Sequence, residues 1–233
     1  MVETILAIPD LHCPFAHRDA FDFLDKIKQI YKPTLVICLG DELDAHAFSS
    51  KFSADPDGMS PKHELLEGIS ALKDLYKIFP AAKVCLSNHT ERPFIKAFHS
   101  GLPRQMMKSY QEFLEAPDTW RWSLYWDYYG VRYEHGEGLS GAGGALKAVL
   151  RNRCSTVIGH LHSFAGVTYT ASSRDLLFGM NTGCLIDQKA YAFKYAAKLR
   201  DKPVLGAGVI VDGIPLFIPM VLSKTGRWIR RIV

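Results

Sequence analysis

Apolar and polar positions alternate on a coarse scale along this chain, and the breaks between them are more telling than the runs. The stretch 4–8 is apolar and β-prone and reads as a first strand; it stops at Pro9, which has no N–H to offer a ladder. Asp10 and His12 follow at alternate positions, so an extended backbone would point both side chains the same way. A helical pattern over 18–31, with Phe21, Leu24, Ile27 and Ile30 near a 3.6-residue spacing, ends at Pro33. The run 34–39 is continuously apolar, as expected of a strand buried on both faces of a parallel sheet, and Gly40-Asp41 closes it. The stretch 42–62 is irregular and rich in Ser, Asp, Gly and Pro, and a loop of that length in a compact domain is usually functional.

A second helical pattern, 61–79, starts and ends near prolines. A third short strand, 82–86, gives way to Ser87-Asn88-His89. Helices are expected over 90–99, 103–115 and 145–151. The aromatic-dense segment 120–129 reads as a partly buried hairpin in preference to a stacking surface for bases. The run 131–135 alternates and ends in His135; 156–158 is apolar and runs into Gly159-His160-Leu161-His162. The remainder is mostly β, over 166–171, 176–180, 204–211 and 214–222. Strands alternating with helices predict an α/β core whose ligands sit at strand ends. No internal repeat or linker divides the chain, so one domain over 1–233 is expected, with 101–129 as a helical and aromatic insertion walling the substrate.

Composition narrows the class. The chain is 48% hydrophobic and 22% charged, ordinary for a globular protein. No apolar run approaches bilayer length, and the first residues lack the basic region of a signal peptide, which predicts a cytoplasmic protein without membrane contact. Five cysteines, odd in number and without C-x-x-C spacing, argue against a disulfide framework or thiolate zinc site. A net charge of +4 permits an anionic substrate without demanding nucleic acid. The basic groups Lys194, Lys198, Arg200 and Lys202, and Lys224, Arg227, Arg230 and Arg231, read as solvated faces.

Five strand-like runs thus end in groups that can bind a metal: Asp10 with His12, Asp41, Asn88 with His89, His135, and His160 with His162. In this order, Asp10-x-His12, Gly40-Asp41, Asn88-His89, His135-Gly136 and Gly159-His160-x-His162 resemble the signature of the calcineurin-like metallophosphoesterases. The resemblance spans 10–162. It implies a four-layer αββα sandwich, two mixed β-sheets flanked by helices. It also implies hydrolysis of a phosphate ester by in-line attack of a metal-bridging hydroxide, with two divalent metals roughly 3.5–4 Å apart. The oxygen and imidazole donors suit Mn²⁺ first, with Fe, Ni²⁺ or Zn²⁺ as alternatives. By the same resemblance Asp10, His12 and His162 hold one metal, Asn88, His135 and His160 the other, and Asp41 bridges them. His89 serves the departing oxygen, and Asp44, placed as in the family's Gly-Asp-x-x-Asp pattern, orients it.

Two substrate contacts come from residue chemistry. Arg92 can grip phosphate oxygens through two hydrogen bonds, or pair with a nearby acid such as Glu91. His46, in the long loop near Asp44, is a second candidate. The chain departs from the family's usual Gly before Asn-His, having Ser87. It also lacks protein-phosphatase cues, carrying Ala45-His46 and Thr90 instead. The Asp that diesterases of the family often carry at the position of Thr90 is missing too, but mild basicity and the lack of protein-phosphatase cues tilt the expectation toward phosphodiesters, with nucleic acid or a nucleotide among the substrates, and leave phosphomonoesters and phosphoproteins as the alternative. A rival stands in Gly136-x-Gly138-x-x-Gly141, formally a dinucleotide fingerprint. No acidic residue lies where a ribose contact is expected, and a glycine loop that frees His135 explains the pattern better.

Overall fold

The computed structural model describes residues 3–49, 58–189 and 202–232. Four strands run parallel as neighbours: β1 (Thr4–Ile8), β2 (Leu35–Cys38), β3 (Ala82–Cys85) and β4 (Trp120–Ser123). A second group is β5 (Tyr125–Tyr128), β6 (Val131–Glu134), β7 (Ser155–Ile158), β8 (Gly166–Ala171) and β9 (Leu176–Asn181). A final hairpin, β10 (Gly206–Val211) and β11 (Ile214–Pro219), adds antiparallel to β1. The sheet orders are β11-β10-β1-β2-β3-β4 and β5-β6-β7-β9-β8, both mixed. The helices are α1 (Ala20–Tyr31), α2 (Pro61–Ile78), α3 (Arg92–His99), α4 (Tyr110–Phe113) and α5 (Gly144–Asn152).

Alternation along buried strands builds the layers. Leu6, Ile8, Val36 and Cys38 face the helices and pack with Phe23, Leu24 and Ile27 of α1 and Leu72 and Leu75 of α2. Ile5, Ala7 and Ile37 face the other way and meet Tyr133, Val157, Phe178 and Met180 between the two sheets. Ala145 and Ala148 of α5 close the outer face of the second sheet against Ile158. The architecture is the four-layer αββα sandwich expected, with each large buried side chain contributing roughly 1.5–3 kcal/mol. Among the described residues no helix is long and apolar enough to cross a membrane.

Local signals explain the helix limits. α1 buries Ala20, Phe23, Leu24 and Ile27, a stripe at i, i+3, i+4 and i+7, and ends on left-handed Lys32 just before Pro33. α2 begins with Ser60 accepting the His63 N–H and Pro61 in the first position. The expected helix over 103–115 is broken: a 3₁₀ turn covers Arg104–Met106, and a capping box at Ser109 starts α4 afresh.

The segment 120–129 is not one hairpin. β4 lies at an edge of the first sheet, the chain crosses at Leu124, and β5 pairs with β6 in the second sheet. Aromatic density marks contact area, but a period of two does not say which strand is the partner. Within 42–62 a 3₁₀ turn forms at His46–Phe48, its first N–H groups accepted by the buried carboxylate of Glu64. Residues 50–57 of that loop lie outside the described residues, as do Lys194, Lys198 and Arg200.

Candidate metal centre

Because β1, β2 and β3 are parallel neighbours, their carboxyl ends share one edge, and the residues just beyond them converge. β6 and β7 do the same in the facing sheet. Sharp turns aim the side chains: His12, Asp41 and His160 all adopt left-handed backbone, with φ of 51°, 46° and 65°. Such conformations cost about 1 kcal/mol or more each outside glycine and persist only where neighbouring contacts hold them. Those contacts exist here. The Leu11 and His12 N–H groups donate to the Asp41 carbonyl, and the His160 N–H donates to Asp10 Oδ2 at 2.8 Å. Gly40 permits close approach; a Cβ there would lie 2.6 Å from Ser87 Cβ and 3.1 Å from His135 Nδ1.

Two groups of donors result. In one, His162 Nε2 lies 3.0 Å from Asp10 Oδ2 and 3.2 Å from His12 Nε2. In the other, His135 Nε2 lies 2.9 Å from Asn88 Oδ1 and 3.2 Å from His160 Nδ1. Asp41 stands between them, its Oδ2 3.5 Å from His12 Nε2 and 3.4 Å from His135 Nε2.

The proton positions follow from the outer partners. His12 donates from Nδ1 to Asp44 Oδ1 at 2.6 Å, and His135 donates from Nδ1 to the Leu39 carbonyl at 2.9 Å. In the neutral tautomers both Nε2 atoms then carry lone pairs, and these face carboxylate, amide and imidazole acceptors. Asp10 Oδ1, fully buried, has no hydrogen-bond partner among the described residues. Acceptors converging on acceptors repel unless positive charge sits among them. The donor set is nitrogen and oxygen without thiolate, and it fits divalent cations of the first transition row. These buried His and Asp clusters are consistent with a dinuclear metal site.

No protein-family model matches the chain, and no curated protein matches it in sequence. Solved structures do match. Vacuolar protein sorting 29 from Cryptosporidium parvum is similar with a TM-score of 0.48 at 12% identity, over 100% of this chain and 96% of that one. The phosphoesterase YfcE from E. coli gives 0.42 at 14%, over 99% and 98%. The Pseudomonas putida nuclease MPE gives 0.38 at 11%, over 91% and 86%. A further solved structure reaches 0.50 at 9%, over 95% and 100%. The two mixed sheets with flanking helices match the αββα fold implied by the chain's resemblance to the calcineurin-like metallophosphoesterases. Likeness at these identities speaks to the fold and not to the activity.

Within this arrangement, the remaining predicted residues form one cluster beside the donor groups. His89 directs Nδ1 at Asp44 Oδ1, 3.0 Å away, and at the Asp44 carbonyl, 2.9 Å away. Arg92 donates from Nη1 to that carbonyl at 3.0 Å, and its Nη2 lies 2.8 Å from His89 Nε2. Glu91, weighed as an ion-pair partner for Arg92, instead accepts from Tyr110. His46 approaches Asp44 only distantly, at 4.0 Å, while its backbone N–H is held by Glu64.

Electrostatics favour positive charge here. Burial pushes the Asp41 carboxyl up, but the imidazoles of His135, His89 and His12 more than reverse this and hold it below the usual carboxylate range. Burial likewise works against a proton on His135, and the carboxylates of Asp41 and Asp10 outweigh it. His12 goes the other way: burial and the neighbouring His89 lower it despite Asp44 and Asp41. Asp44 sits low because His12 and His89 donate to it, against the effect of burial.

Sequence reasoning missed three contacts. Asp44 holds His12 as well as His89, so a single carboxylate orients a residue of the donor cluster and its neighbour. Ser87 Oγ accepts the Asp41 N–H at 2.7 Å, giving the departure from glycine a positioning role. Glu64 fixes the turn after Asp44. Ser87 showed in the sequence only as a departure from glycine, Glu64 only as an acid in the first turn of a helix, and the second partner of Asp44 left no signal.

Proposed function

We propose that this protein is a dinuclear-metal-dependent phosphoesterase acting by preference on phosphodiesters. The observation that carries the reading is Asp41, whose Oδ2 faces His12 on one side and His135 on the other at near-equal distance. When bound, two divalent ions would supply Lewis acidity for the phosphoryl oxygens and acidify a water. Asp10, His12 and His162 would hold one, Asn88, His135 and His160 the other, with Asp41 shared.

The chain's own residues divide the remaining work. Arg92 lies where a guanidinium can leave His89 for phosphate oxygens, gripping them by two charge-assisted hydrogen bonds. His89, steadied at Nδ1 by Asp44, presents Nε2 to protonate the departing oxygen. His46 lies at the rim as a weaker substrate contact, and the segment 101–129 forms part of the wall. Mn²⁺ is the metal proposed first, given the oxygen and imidazole donors.

The test is turnover of a bis-nitrophenyl phosphate diester by protein loaded with Mn²⁺. Activity should appear with metal and vanish with chelator. Turnover that resists chelator, or a monoester hydrolysed far faster than the diester, would reject this reading or shift it to the phosphomonoesterase alternative. With nucleic acid as substrate, cleavage should weaken steeply as salt rises.

A further inference from the structure

A pocket of about 150 Å³ opens directly beside the donor cluster, sharing Asn88 and Arg92 with it. Its other walls include Phe48, Ile95, Lys96 and Glu137. Its size is decisive. Sites for drug-sized ligands span roughly 300–1,000 Å³, so this one admits a single ring system and neither a helix nor a duplex. Its chemistry is mixed in a specific way. Phe48 offers an aromatic ring and Ile95 an aliphatic side chain. Lys96 offers a cation, and Glu137 offers an acceptor.

Position adds to the argument. Arg92 has its guanidinium against His89 and also lines the pocket, so a phosphate held near His89 would present its ester group to this opening. Glu137 sits between Gly136 and Gly138, with φ of 99° and 79°, which turns the chain so that an exposed carboxylate borders the cavity. A carboxylate selects for amino hydrogens, as acidic side chains do with the exocyclic amines of bases. An aromatic face suits a flat ring and tolerates any base.

We propose that this pocket takes the planar base of a nucleoside phosphate, stacked on Phe48, with its exocyclic amine donating to Glu137. The substrate class is then a nucleotide ester presented as a single unpaired nucleotide. This rests on the phosphoesterase reading for the place of the phosphate, but its test does not rely on turnover.

The experiment is calorimetric titration of the full chain, Mn²⁺-loaded and metal-free, with adenosine 5′-monophosphate, inosine 5′-monophosphate, ribose 5-phosphate and O-phosphotyrosine. Adenosine monophosphate should bind about tenfold or more tightly than ribose 5-phosphate, and more tightly than the inosine analogue, which lacks the amine. Phe48→Ala should bring the first pair within about twofold of one another. Phe48 also packs against the main core, so the exposed Glu137→Ala, which removes the acceptor, serves as the second variant. It should erase the adenosine-over-inosine preference and leave the fold intact. Equal binding of ribose 5-phosphate and adenosine monophosphate to the unaltered protein would overturn the proposal. So would phosphotyrosine binding as tightly as the nucleotide, or a base preference that survives both substitutions. Base-selective binding without diester hydrolysis would remove the phosphoesterase reading alone; hydrolysis without base selectivity would remove the pocket assignment alone.

Discussion

Arg92 Nη2 lies 2.8 Å from His89 Nε2, and because a guanidinium can only donate, the imidazole accepts there and carries its own proton on Nδ1. That proton is donated to Asp44. The local field nonetheless favours a second proton: burial opposes it, but Asp41 and Asp44 outweigh burial and raise the His89 pKa. Arg92 therefore occupies the position that a proton would take. A phosphate that draws the guanidinium away would free Nε2 as it binds. Arg92→Ala is expected to raise KM for a diester by about tenfold to a hundredfold, the order of a lost charge-assisted pair, with a smaller effect on kcat. Steady-state kinetics on the nitrophenyl diester reads the split; a loss confined to kcat would remove Arg92 from substrate binding.

His89 and the donor residues should separate experimentally. His89→Ala is expected to keep its metal content and lose about 10²–10⁴ in kcat, the range of a deleted general acid. Metal analysis on the purified variant is the check, and equal losses of metal and activity would make His89 a ligand.

Asp41 should behave unlike any other donor. Its Oδ2 faces both clusters, so Asp41→Ala should lower the bound metal from two equivalents toward none. Asn88→Ala, which removes the oxygen facing His135, should leave about one. Gly159→Ala offers a subtler route: an added Cβ would collide with Asp10 Oδ1. That variant should fold and bind about one metal equivalent fewer. Unchanged stoichiometry in it would mean Asp10 is not a ligand. Metal loading should also raise Tm of the unaltered protein, since an ion bound only by the native state shifts unfolding by mass action.

Much of this site was legible because strands buried on both faces read as apolar runs, so the polar residue ending each one stood out. Asp10, Asp41, Asn88, His135 and His160 each follow such a run, and parallel pairing within each of the two sheets gathers them at strand ends that face one another. What stayed hidden were partners distant in sequence that leave no period. Ser87 supports the Asp41 backbone from 46 residues away, and Asp44 reaches both His12 and His89. The split of the aromatic segment between two sheets was hidden for the same reason. Trp120 is buried and Trp126 half-buried, yet only the pairing of β4 with β3 and of β5 with β6 separates them.

Asp19 and Arg227 make a pH-dependent tie between the start of α1 and the C-terminal segment. Arg227 donates to Asp19 from Nε at 2.8 Å and from Nη2 at 2.5 Å, and the Trp228 N–H adds a third bond at 2.9 Å. The guanidinium, with that N–H, holds the Asp19 carboxyl down to about 2 against the opposing effect of burial. The folded value lies below the unfolded one of about 3.9, so the unfolded chain binds the proton more readily. The stabilisation is therefore complete above about pH 4 and is lost as pH falls toward about 2. Arg227 is half exposed, so solvent screens the pair and its contribution is much smaller than the shift alone would suggest. For a chain of this length a screened tie of this kind shifts Tm by at most roughly 2–4 °C. Asp19→Asn should therefore lower Tm by up to that much at pH 7 and by progressively less between pH 4 and 2, as thermal unfolding across that range would show. A gap that stays constant down to pH 2 would mean the tie is held by the neutral hydrogen bonds and not by the charge.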